Sequence, residues 1–289
     1  MNNNYLEILM QMHECNSWIF YAIVFMFGSA MATFLNVLLY RMPVIMEHDI
    51  VENVKFYLKE KKIAHDPIEF GADKYNTLMG RSYCTTCGAM IPFYYNIPVL
   101  GWLLLRGKSG CCKQPIPIRY FLVEFLFSAF TCAAFAMFGF YQALGIVFFS
   151  YLAIAISDID IKTKMIPDEY TYLLLWLGVI FNYNGTYTSL ESSVSGVIVA
   201  YSFLYVINYL YCCIRNTNGM GGGDFKLLAA IIAWTGLSST LNVVALSCLF
   251  GILTFLFKGL IAKGYKLEKE AEIPFAPALL LAGFTCLVI

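Results

Sequence analysis

Long apolar runs, separated by loops that carry most of the charge, leave this chain few folds to choose from. They fall near residues 18–40, 120–140, 142–157, 169–182, 193–213, 225–240, 241–258 and 273–289. A run of about 20 apolar residues crosses the hydrocarbon core of a bilayer as a helix. Helices satisfy their own backbone polar groups, which lipid cannot do. Composition agrees, with 60% hydrophobic and 13% charged residues against the roughly 25% charge of soluble domains. The expected fold is therefore an all-α polytopic membrane protein with about eight transmembrane helices. Residues 1–40 hold the first transmembrane helix, 41–119 a small loop-rich module, and 120–289 the remaining membrane core.

Charge sets the orientation. Loops 41–119, 158–168, 214–224 and 259–272, with the span edges beside them, hold all 19 Lys and Arg residues. The opposite side, residues 1–17 and the turns near 141, 183–192 and 240, holds none. Basic loops stay in the cytoplasm, so the N-terminus faces outward and the basic loops face in. The first run has no basic segment before it and is long enough to span, unlike a cleaved signal. Net charge is zero, so no basic field for nucleic acid exists, and the partner implied by composition is the lipid bilayer. Residues 47–75 read as a charged helical insert. From residue 83 the loop turns to Cys, Gly, Pro and aromatics, including Cys84-Thr-Thr-Cys87 and Ser109-Gly-Cys111-Cys112. So small a module needs a staple, such as a metal or the membrane surface.

Two acidic stretches share the cytoplasmic side. Asp158-Ile-Asp160 ends the third span, and Gly219-Met-Gly221-Gly222-Gly223-Asp224 opens the sixth. The glycines do not make a phosphate loop, which needs Gly-Lys-Ser/Thr, nor a dinucleotide turn, where a third glycine would replace Asp224. Bare backbone at Gly221, Gly222 and Gly223 instead lets an extended peptide approach. Ionisable groups at a span edge point to function, and two carboxylates in one site share a proton. That state suits hydrolysis, one group activating water and the other donating to the carbonyl. Helix dipoles make Asp224, at a helix start, the base and Asp160, at a helix end, the acid. The plainer alternative is interfacial ion pairing with Lys162, Lys164 or Lys226. Another is a transporter with Asp160, Asp224 and Glu124 as a proton or cation path, though no internal repeat supports it. The third and fourth spans are about 16 and 14 residues long, which implies a water-filled notch beside the acids unless their ends lie further out.

These stretches resemble the two signatures of the GxGD membrane aspartic peptidases, and more closely the type IV prepilin peptidases. Asn36-Val37 with Arg41-Met42-Pro43, Asn96-Ile-Pro-Val99, and Arg119-Tyr120 with Glu124 extend the resemblance from about residue 33 to 230. It implies that Asp160 and Asp224 are the catalytic pair, with Asp158 and Asp168 as neighbours. The implied activity is removal of the basic leader from prepilin or pseudopilin precursors, after a glycine, at the cytoplasmic face of a bacterial inner membrane. It also implies N-methylation of the new terminus with S-adenosylmethionine, with a peptidase lacking methylation as the alternative. Two departures stand out. Ala32-Thr33 replaces the usual Gly-Ser, and Ser109 replaces the leading cysteine of a second Cys-x-x-Cys pair. The zinc ligands implied are then Cys84, Cys87, Cys111 and Cys112.

The charge pattern makes the topology testable. A thiol reagent that cannot cross the membrane should label Ser189→Cys in intact cells and leave Lys266→Cys unlabelled until the cells are opened.

Overall fold

The computed structural model describes residues 10–15, 17–61, 83, 84, 86–215, 221–261 and 274–289. It divides into two compact units, Met1–Ala133 and Ala134–Ile289. Among the described residues there are helices and turns but no strands, only two isolated β-bridges. Five helices are long and apolar enough to cross a membrane: Trp18–Glu60, Ile118–Met137, Phe140–Thr163, Leu190–Arg215 and Leu237–Phe257. The protein is an all-α polytopic membrane protein.

In the first unit, helix α1 (Trp18–Glu60) runs for 43 residues and continues past Pro43. At 1.5 Å per residue it is about 65 Å long, roughly twice the hydrocarbon thickness. Its second half carries the charged residues of the expected insert up to Glu60, and the insert from 62 onward lies outside the described residues. A short α2 (Leu100–Leu104) lies in the loop module, and α3 (Ile118–Met137) follows. Gly28 lets α1 meet α3, since a Cβ there would stand 2.8 Å from Thr131 Oγ1. Asn36 Nδ2 donates to Tyr120 O at 3.2 Å.

In the second unit, α4 (Phe140–Thr163), α5 (Asp168–Asn182), α6 (Leu190–Arg215), α8 (Thr240–Ile261) and α9 (Ala276–Val288) accompany α7 (Gly222–Thr235). Helix α7 is packed against α5, α6 and α9. Every residue from Leu227 to Trp234 is at most 2% exposed, as expected of a helix that is apolar all round. Small residues make the close approach possible, the usual device where helices pack within lipid. Gly178 on α5 lies against Trp234, Gly196 on α6 against Ile232, and Gly283 on α9 against Ile231. The end of α7 is tied down by side chains that take its last carbonyls, which no intrahelical donor reaches. Asn182 Nδ2 donates to Ala233 O at 2.8 Å and to Trp234 O at 3.0 Å, and Ser193 Oγ to Ala233 O at 2.6 Å. Trp234 Nε1 donates back to Leu174 O at 2.8 Å.

The third span differs from the sequence reading. Helix α4 reaches Thr163 rather than 157 and is 24 residues long, so the third span is not short. Its last turns stay helical because Lys162 pairs with Asp158 one turn back on the same face. The short helices of this unit are α5, α7 and α9, of 15, 14 and 13 residues. They are about 22, 21 and 20 Å long, less than the roughly 30 Å hydrocarbon core.

The packing of α7 gives a direct test. A Cβ at Gly178 would meet Trp234 Cδ1 at 2.6 Å and the Ala233 backbone carbonyl carbon at 3.0 Å. Gly178→Ala should cost about 1–3 kcal/mol by overpacking, read as a lowered unfolding temperature in detergent. Gly139→Ala, whose Cβ meets nothing nearer than 3.8 Å, should leave it unchanged.

Candidate active site

Asp160 lies in the last turn of α4 and is 5% exposed. The helix stops just beyond it because Lys164 turns left-handed at φ 59° and its N–H returns to Asp160 O at 2.9 Å, an αL cap. Thr163 Oγ1 accepts from Met165 N–H, and Pro167 caps the start of α5. The Asp160 carboxylate is held from another helix: Ala276 N–H donates to Oδ2 at 3.1 Å. Ala276 is the first residue of α9, and helix starts leave such N–H groups unpaired.

Asp224 lies in the first turn of α7, half-buried, with its own N–H donating to Gly221 O at 3.2 Å. It is near enough to Asp160 for that residue's charge to act on it. Two of the three lysines offered as ion-pair partners are engaged elsewhere. Lys162 pairs with Asp158, and Lys226 holds both oxygens of Asp168 at 2.7 and 2.8 Å, 5.7 Å from the Tyr172 ring centre. Lys164 is the exception, near enough for its charge to act on Asp160. Among the described residues no salt bridge engages Asp160 or Asp224.

The glycines before Asp224 divide by role. Gly221 has ordinary extended angles, φ −71° and ψ 142°, and Gly222 and Gly223 are helical, so conformational freedom is not their use here. A Cβ at Gly222 would meet nothing, and one at Gly221 only the Asp224 carboxylate at 3.5 Å. These two leave open backbone beside the acid. Gly223 is different: a Cβ there would press on Ile166 at 3.1 Å. Ile166 thus joins the two acidic stretches by packing, and its place in Met165-Ile166-Pro167 was the available signal. Ala276 carries no motif, and sequence alone gave no sign of its contact. Gly219 and Met220 lie outside the described residues.

The loop module of the first unit is built as two matching turns. Tyr83 bridges Met90 and Lys108 bridges Pro115. Cys84 N–H donates to Ala89 O as Ser109 N–H does to Gln114 O, and Gly88 N–H to Cys84 O as Lys113 N–H does to Ser109 O. Gly88 and Lys113 both have positive φ, 70° and 60°. Ser109 therefore stands where Cys84 stands in the other turn, and Cys112 matches Cys87. Cys111 nevertheless brings its thiol in: the four Sγ atoms lie within 4.8 Å of one another. Zinc–thiolate bonds of about 2.3 Å in a tetrahedron place sulfurs roughly 3.8 Å apart. The donor set fits zinc.

Beside these turns lies a cavity of about 390 Å³. Glu124 of α3 lines it, accepting from Thr33 Oγ1 at 3.0 Å and from Val99 N–H at 2.7 Å. Thr33, one of the two departures noted above, thus still supplies a hydroxyl. Val99 has φ 61° and ψ −52°, a strained region for a β-branched residue that costs of order 1–3 kcal/mol.

The fold and the paired acids define a polytopic membrane protein with two carboxylates at facing helix ends. The Bacterial Peptidase A24 N-terminal domain matches residues 26–138, and the Type IV leader peptidase family matches residues 146–256. A protein of Aeromonas hydrophila named prepilin leader peptidase/N-methyltransferase is 33% identical over 286 residues, 98% of this chain and 95% of its own. Proteins of the same name from Stutzerimonas stutzeri and Neisseria gonorrhoeae are 33% and 34% identical, covering 90% and 89% of this chain and 88% and 86% of theirs. No solved structure matches the chain. The chain belongs to the type IV leader peptidase family.

The cysteine cluster makes a quantitative prediction. Protein purified without chelator should carry about one zinc per chain, and Cys84→Ser with Cys111→Ser should abolish it, as read by elemental analysis.

Proposed function

We propose that this chain is a prepilin leader peptidase and N-methyltransferase of a bacterial inner membrane. It cuts the basic leader from prepilin or pseudopilin precursors at the cytoplasmic face, with Asp160 and Asp224 as the catalytic pair, and methylates the new terminus from S-adenosylmethionine. The observation that carries the peptidase half is the pairing itself. Asp158 and Asp168 are neutralised by lysines, while among the described residues no salt bridge engages Asp160 or Asp224, and the charge of Asp160 reaches Asp224 at the start of α7. Two such carboxylates hold one proton between them. The ionised one draws a proton from water as it attacks the scissile carbonyl, and the protonated one donates to the carbonyl oxygen. Open backbone at Gly221 and Gly222 gives an extended peptide room beside Asp224.

The Ala276 contact changes the assignment of roles. By the dipoles of their own helices, Asp224 at a helix start would be the base and Asp160 at a helix end the acid. Asp160, however, accepts from the first N–H of α9, so each carboxylate has a helix start of its own. The pair is therefore treated as one titrating unit. A transport path fits less well, because α7 beyond Asp224 is apolar and buried from Leu227 to Trp234, with no further acid to relay a proton or cation.

Asp160→Asn or Asp224→Asn should each abolish leader cleavage of a purified prepilin while the protein remains folded, since an amide does not exchange the proton. Asp158→Asn should cut the rate less than about tenfold, well short of the 10²–10⁴-fold that acid–base catalysis contributes. Cleavage at the normal rate by both of the first two variants would refute the assignment.

A further inference from the structure

Four cysteines at the two matching turns leave Ser109 without a task, yet its hydroxyl is built into their cluster. Ser109 Oγ lies 3.0 Å from Cys111 Sγ and 3.5 Å from Cys84 Sγ. Its backbone is fixed twice within the turn. The N–H donates to Gln114 O at 2.8 Å, and the carbonyl accepts from Lys113 N–H at 3.0 Å. Cys84 makes the same two bonds in the other turn, to Ala89 O and from Gly88 N–H. Residue 109 is therefore held in a ligand's position but ends in a hydroxyl. Cys111 falls where Thr86 falls in the first turn, so its thiol enters from a position that carries no sulfur there.

The number of sulfurs decides what the hydroxyl can do. A closed structural zinc site takes four ligands, drawn from thiolates, imidazoles and carboxylates. Four thiols already lie within 4.8 Å of one another, so a neutral hydroxyl has no ligand position to fill. It can instead act as a donor. Four thiolates on a doubly charged ion leave excess negative charge on sulfur, and a hydrogen bond to an ionised acceptor is roughly twice as strong as a neutral one. A serine hydroxyl has one proton to give, and Cys111 Sγ is the nearer acceptor. We propose that the Ser109 hydroxyl donates to the Cys111 thiolate and so holds it as the fourth zinc ligand, in the place that residue 109 itself does not fill. The inference rests on the zinc reading of the cluster. A thiol missing at 109 is made good two residues on, and the oxygen that stands in its place orients the replacement. Hydrogen-bond partners of metal ligands are typically worth 10–100-fold in metal affinity.

The test uses the full-length protein in detergent, loaded with zinc or with cobalt(II), whose absorption spectrum reports how many thiolates bind it. Ser109→Ala should keep the four-thiolate cobalt spectrum of the wild-type protein. It should raise the zinc dissociation constant about 10–100-fold in competition with a chelator. In the zinc-loaded protein it should also speed alkylation of Cys111 more than that of Cys87 or Cys112, because a thiolate that loses its donor is the stronger nucleophile. Cys111→Ser should leave a spectrum of three thiolates. Unchanged zinc affinity in Ser109→Ala, or equal acceleration at all the cysteines as from a loosened turn, would overturn the role of the hydroxyl. So would a wild-type spectrum of three thiolates and one oxygen, since Ser109 would then be the ligand itself. Wild-type protein that binds neither ion would remove the zinc reading, and the inference with it.

Discussion

The complete burial of α7 is the constraint on which the second unit depends. A helix with only apolar and small side chains from Leu227 to Trp234 has no polar face to give to water or to a channel. It must be enclosed, and Gly178, Gly196 and Gly283 let three neighbours close in on it. Its far end is locked by Asn182 and Ser193. The near end is then held at a fixed height, and the first polar side chain met there is Asp224. The carboxylate is positioned by the whole length of packed helix behind it rather than by its own loop.

Asp160 is reached by a different route. Helix α4 carries it to the membrane edge, a left-handed Lys164 stops the helix, and α9 donates its first N–H to the side chain. The lysines of both motifs stabilise the neighbouring acids instead. Surface ion pairs of this kind add little stability, about 0–1 kcal/mol each.

Much of this was legible in the sequence. The apolar runs predicted where the membrane helices lie, because a span's length and composition are set by the bilayer, but not that α1 continues about 20 residues past its apolar run to Glu60. The charged end of α4 was missed, since Asp158 and Lys162 lower apparent hydropathy while stabilising the helix one turn apart. The paired aspartates stood out by type and setting. Ala276 did not, because an N–H donor at a helix start leaves no mark in residue identity. In the loop module, sequence showed Ser109 in the place of a leading cysteine, but not that its turn repeats the one at Cys84 or that Cys111 brings a thiol into the same cluster.

In the proposed mechanism Asp160 and Asp224 work as one unit holding a single proton. The most direct measurement is the pH dependence of kcat/KM for leader cleavage by the wild-type protein. One shared proton requires a bell-shaped profile, falling on the acid side as the pair takes a second proton and on the alkaline side as it loses the first. A rate that rises to a plateau and stays there would mean both carboxylates act ionised, and would contradict the shared-proton pair.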